Sequence, residues 1–111
     1  MPIDILGIKR CIDERPEDFR TLRDVARKAK VSSETLRREF FRAQRMHLSE
    51  YLTVVKVRRM QDMLRKTQKP CFEICFDTGF KREDTGAKVF KRVTGLTMAQ
   101  YRADDRNRRS R

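Results

Sequence analysis

Ser33, Glu34, Arg37 and Arg38 fall within six consecutive positions. On a helix, residues three and four apart share a face, so this set offers a hydroxyl, a carboxylate and two guanidinium forks from one surface. An arginine there can pair bidentately with O6 and N7 of guanine, and a carboxylate can accept from N4 of cytosine. Glu34 has a plainer role too, holding Arg38 through an i, i+4 ion pair, and that is the role we favour. A second polar set, Arg82, Glu83, Asp84, Thr85 and Lys88, occurs about fifty positions later. Its two carboxylates oppose a polyanion unless they are paired or cap a helix.

The whole composition points to a polyanion as partner. Lys and Arg number 28 against 16 Asp and Glu in 111 residues, a formal charge of +12 spread along the chain. Such a surface seeks nucleic acid or an anionic membrane. No run of 18 apolar residues and no signal-peptide pattern is found, so a soluble, cytoplasmic, nucleoid-associated protein with no membrane partner is expected. The three cysteines form no C-x-x-C pair, which argues against a disulfide framework.

The elements that would carry these side chains are written twice. Val25-Ala26, Val31-Ser32, Phe40 and Tyr51 recur as Ile74-Cys75, Phe80-Lys81, Phe90 and Tyr101, shifted by 49 or 50 residues. In each copy a small residue (Ala26, Cys75) stands where two helices must approach closely. An apolar turn residue comes next (Val31, Phe80), then a polar helix with an aromatic anchor. That order describes a helix-turn-helix buttressed from behind.

Helix boundaries are readable along the way. Ile5, Ile8 and Ile12 stripe a first helix opened by Asp4 and closed before Pro16. Thr21 to Asp24 has capping-box form, and Ser32 caps the helix bearing Leu36 and Phe40. Leu48 to Lys66 holds no Gly or Pro and reads as one long helix, with Leu48, Tyr51, Leu52, Val55 and Met63 on an arc and Met60 and Leu64 on its flank. Pro70 suits the start of the next helix, with Cys71, Ile74, Cys75 and Thr78 facing inward, and Gly79 permits a sharp turn. Thr97-x-x-Gln100 opens a last short helix. Alternating apolar residues are absent, so the chain is all-α, about seven helices in two helix-turn-helix lobes joined by a linker helix. The divisions are 1–47 for the first lobe with its cover helix, 48–66 for the linker, 67–103 for the second lobe and 104–111 for a flexible basic tail.

Leu22 to Ala26, Val31-Ser32, Leu36 to Phe40, Tyr51-Leu52, Glu73-Ile74, Gly79-Phe80, Phe90 to Arg92, Gly95 and Tyr101-Arg102 succeed one another with the spacing of a known pattern. The chain resembles the DNA-binding domain of AraC/XylS-type transcriptional regulators from about Thr21 to Arg102, most specifically between Gly79-Phe80 and Tyr101. The resemblance implies a bacterial, sequence-specific regulator of transcription, usually an activator, placing two recognition helices in successive major grooves of double-stranded DNA. It implies base contacts from Ser33, Glu34, Arg37, Arg38, Arg82, Thr85 and Lys88. Phosphate contacts fall to Arg42, to Lys56 where the family's linker helix has an Arg, and to Lys91 and Arg92 after the second anchor. RNA polymerase is a further partner of such a protein; no cofactor and no small-molecule ligand is evident.

Several residues depart from that family's pattern. Gly86 stands where an aromatic or leucine points into the second lobe, so that lobe is expected to be the weaker. Arg82 replaces a Ser-like cap, which moves the expected start of the second recognition helix towards Asp84 or Thr85. Lys30 replaces a turn Gly, Arg45 matches Gly95, and Met60 fills a usual Ala site.

Other readings of the same residues compete with this one. Asp77-Thr78-Gly79 and Asp84-Thr85-Gly86 both spell the D-T-G triplet of aspartic proteases, whose chemistry needs two carboxylates sharing a proton. Those triplets belong on turns of two symmetric lobes, not seven residues apart in a helical chain. Cys71 and Cys75 at i, i+4 could bind metal or sense oxidants, yet they coincide with apolar positions, where Cys packs as a small hydrophobe. His47 has no partner that would make a zinc or catalytic site, and it reads as a substitute helix cap. The remaining alternative is a protein-binding adaptor or antiactivator that keeps the fold with weak, nonspecific DNA binding.

Overall fold

The computed structural model describes residues 3–109. Among them are seven α-helices, one short 3-10 turn and no strand: α1 (Ile5–Glu14), the turn Pro16–Asp18, α2 (Leu22–Ala29), α3 (Ser33–Gln44), α4 (Leu48–Lys66), α5 (Cys71–Asp77), α6 (Glu83–Thr94) and α7 (Met98–Arg109). They form two units, and the division falls inside α4, between Val55 and Lys56.

In the first unit, local chemistry sets each helix end. Asp4 Oδ1 accepts from the Gly7 amide at 2.9 Å, and Asp24 accepts from the Thr21 amide at 3.2 Å. Ser32 Oγ accepts from the Thr35 amide at 3.1 Å, satisfying a donor that the first turn of α3 leaves open. Two turns need a left-handed residue, and they receive Lys30 (φ 59°) and Arg45 (φ 55°), where glycine would be less strained. The core joins Ile12, Phe19, Val25, Ala26, Leu36 and Phe40 to Leu48, Leu52 and Val55 of the first half of α4. Phe40 meets Tyr51 at 5.6 Å between ring centroids, and the Tyr51 hydroxyl donates to Asp13 at 2.5 Å.

The second unit repeats the plan. Gly79 (φ 96°) and Gly95 (φ 83°) hold the two left-handed positions. The Phe80 amide donates to the Cys75 carbonyl at 3.1 Å, as the Val31 amide does to Ala26, so both copies close their turn alike. Phe90 and Tyr101 pair edge to face at 5.6 Å. Thr97 and Gln100 exchange both capping-box hydrogen bonds, at 2.9 and 3.1 Å. The core is Val57, Met60 and Leu64 of the second half of α4 with Ile74, Cys75, Phe90 and Met98. Arg102 reaches back from α7 to the Leu64 and Thr67 carbonyls at 3.2 and 3.3 Å, occupying acceptors that the end of α4 leaves open.

Four details differ from the expectations raised by the sequence. Met60 and Leu64 are core residues, not flank, because α4 turns a second apolar arc to the second unit. The helix expected to read DNA in that unit, α6, begins at Glu83 with Arg82 at the cap position, and the Arg82 side chain makes no capping hydrogen bond. The segment expected as a flexible tail from 104 is helical through Arg109; Asp104 pairs with Arg108 and Asp105 with Arg109 one turn apart, at 3.3 and 3.2 Å, and such pairs support an exposed helix. Residues 110 and 111 lie outside the described range.

Gly86 is the fourth. It is buried in α6, and a Cβ there would stand 2.8 Å from Cys75 Sγ and 3.2 Å from a Phe80 ring carbon. No void marks the lost side chain; the larger Cys75 and Phe80 fill its place. The expected packing loss behind a weaker second lobe is therefore absent at this position.

Candidate nucleic-acid interface

α3 shows its charged side outward because Leu36 and Phe40, at i, i+4, are fully buried on the other. Glu34, Arg37, Arg38 and Arg42 are exposed, and Ser33 is half-buried beside the Ser32 cap. Arg38 and Arg42 both approach Glu39, at 3.7 and 3.6 Å. The expected Glu34–Arg38 pair is thus replaced by one with Glu39, which lies between the two arginines on the helix and serves both. Ion pairs this exposed hold their partners by about 1 kcal/mol or less, so the guanidiniums are released easily to a competing anion.

α6 carries the second set. Arg82, Glu83, Asp84, Thr85, Lys88, Lys91 and Arg92 are all exposed. Asp84 accepts from the Thr85 amide at 2.9 Å and faces the Arg82 guanidinium at 3.2 Å. Its charge is engaged in the helix start, where the dipole favours a carboxylate, and Glu83 sits in the same first turn. Arg82 is correspondingly tied to Asp84.

Lys56, expected at a phosphate from the sequence, is buried in the structure. Only 4% of it is exposed, and its ammonium stands 5.0 Å over the Phe80 ring. It ties the second half of α4 to the turn of the second unit through a cation–π contact. Cys75 behaves as the apolar reading holds. Burial first, then the neighbouring Glu83 charge and Cys71, push its thiol up to about 11, away from thiolate chemistry.

One feature of this surface escaped the sequence reading. Phe41 sits next to the buried anchor Phe40 and is 38% exposed, with its ring stacked on His47 at 4.7 Å. The signal was available: Phe41 lies seven residues after Glu34, on the same helix stripe. His47 also supplies the carbonyl that receives the Tyr51 amide at the start of α4.

A family profile described as a helix-turn-helix domain matches residues 25–104, spanning both repeats. The chain belongs to the AraC/XylS-type helix-turn-helix family. This is a family of DNA-binding transcription regulators, not of enzymes, and the protease reading of the D-T-G triplets lapses with it. The chain is 31% identical to the regulatory protein SoxS of Salmonella typhimurium over 91 residues, covering 82% of this chain and 85% of that protein. It is 24% identical to the melibiose operon regulatory protein of Escherichia coli K12 over 98 residues, covering 88% of this chain but only 32% of that protein. Among solved structures, the DNA-binding domain of the transcriptional factor AdpA, crystallised with a target DNA, superposes with a TM-score of 0.85 at 24% identity and 96% coverage of both chains. The C-terminal domain of AraT, a response regulator of Geobacillus stearothermophilus, gives 0.82 at 24% identity, covering 94% of this chain and 86% of that one. These likenesses establish the fold.

Proposed function

We propose that this AraC-type chain is a transcriptional activator that binds double-stranded DNA sequence-specifically, with α3 and α6 entering successive major grooves. The observation that carries this reading is the repeated helix-turn-helix whose polar helices turn charged, exposed faces outward (Arg37, Arg38 and Arg42 on α3; Lys88, Lys91 and Arg92 on α6). Ser33, Glu34, Arg37 and Arg38 read base edges, and Arg42, Lys91 and Arg92 hold phosphates. Thr85 and Lys88 read from α6 with Arg82, whose tie to Asp84 leaves the second unit the smaller share of base-specific energy. RNA polymerase is the second partner, and regulation proceeds without a small molecule held by these residues.

Selection of binding sites from random duplexes, then footprinting, tests the reading. The expected product is one asymmetric site with two protected segments about 10 base pairs apart. Enrichment of a single short half-site would remove the two-helix mechanism. A ratio near one between selected and random duplexes would favour the adaptor reading, in which the basic surface binds DNA without discrimination.

A further inference from the structure

The stacked Phe41–His47 pair is the least expected feature of the exposed face of α3. A helix offering Glu34, Arg37, Arg38 and Arg42 to solvent also offers an aromatic ring. That ring is backed by His47 at 4.7 Å and an interplanar angle of 25°, so it is held in place before any partner arrives. Phe41 and His47 line one cleft of about 310 Å³ with Glu34, Arg37 and Arg38, the residues placed at base edges. The second unit has Lys91 and Thr97 at the matching positions, so neither the fold nor the turn requires the aromatic pair.

We propose that Phe41 is a specificity-determining residue that reads the C5-methyl group of a thymine in the major groove, with His47 as the residue that positions it. Apolar contact with this methyl is the one base-edge feature that a hydrocarbon ring detects and an arginine does not. Phe41 lies seven residues beyond Glu34, a rise of about 10 Å, or roughly three base-pair steps. The thymine therefore sits about three base pairs from the base read by Glu34, and about two from the base read by Arg37. The inference rests on the DNA-reading role of α3 proposed above.

The test uses the full chain and its selected duplex, with each thymine replaced singly by uracil, which removes the methyl and keeps the pairing. Wild type is expected to lose about fourfold in affinity at one thymine, the worth of one buried methyl. Phe41→Ala is expected to bind the thymine duplex more weakly and to lose nothing further on that replacement. Phe41→Leu, which keeps an apolar side chain, should retain part of the effect, as should His47→Tyr, while His47→Ala should reduce it. A thymine-to-uracil loss that persists unchanged in Phe41→Ala, or the lack of any such loss in wild type, overturns the inference while leaving the DNA-reading role intact. Failure to enrich any duplex overturns both.

Discussion

At the scale of single residues, the two kinds of DNA contact make separable predictions. Arg38→Ala is expected to weaken binding to the selected site and relax preference at one base, at about 1–3 kcal/mol of discrimination. Lys91→Ala should weaken selected and random duplexes alike. Titrations at several salt concentrations check both, and an equal loss on the two duplexes for Arg38→Ala would take away its base-reading role. Lys56→Met should leave the salt dependence unchanged, since the side chain is buried over Phe80. Cys75 makes a prediction about pH. Its folded-state thiol is raised from the ordinary 9.0 to about 11, so the native form keeps its proton where the unfolded form loses it. Stability is fully present below about pH 9 and declines towards pH 11. Urea unfolding across that range should show a steeper decline for wild type than for Cys75→Ala; parallel curves would count against burial as the cause.

At the scale of elements, the two units solve one packing problem with different side chains. Leu36 fills the centre of the first beside the small Ala26 and Val31; Gly86 vacates the matching place in the second, and Cys75 and Phe80 take it up. The space is filled in both, while the side chains that fill it differ. Gly86→Leu is therefore expected to destabilise by about 2–3 kcal/mol through overpacking. Adding Cys75→Ala and Phe80→Val, which recreates the first unit's set, should recover more than half, as thermal unfolding of the single and triple variants would show; no recovery would mean that the trade is not local. Sequence alone revealed that Gly86 lacks a side chain but not what stands in its place, since that depends on how closely α5 approaches α6. Caps and anchors were legible because each is a local device: Asp4, Ser32 and Thr97 act within a turn of themselves. The start at Glu83 was not, because the capping side chain is missing and the turn before it sets the helix. Residues 104–109 were missed for another reason. They carry no apolar stripe, and their helix shows only in the Asp–Arg spacing. Phe41 was missed because its neighbour Phe40 already answered for the anchor.

At the scale of the molecule, charge and family decide more than any one contact. A formal +12 ensures attraction to any duplex, so affinity alone says little about function and its salt dependence says more. Each phosphate neutralised steepens the log-log salt slope by about 0.9. The combined Arg42→Ala, Lys91→Ala, Arg92→Ala variant should flatten that slope by about 2.7 if all three contact phosphates. A change below about 1 would reassign them to solvent. The repeated plan, the all-α class and the family were legible from spacing, since buried anchors recur at a fixed interval whatever the surface does. The burial of Lys56 was not, because a lysine on a long helix looks the same in sequence whether it faces water or a ring.

The junction inside α4 also constrains how such proteins can be recombined. Its first half closes the core of one repeat and its second half opens the core of the next, so the copies meet with no loop between them. Exchanging a reading head with a paralogue then means splicing in mid-helix. Each residue added or dropped at the seam rotates the downstream half of the helix by about 100° and shifts it by about 1.5 Å. Viable hybrids should accordingly cluster at joins that preserve helical phase, a bias that a library of random crossovers would record.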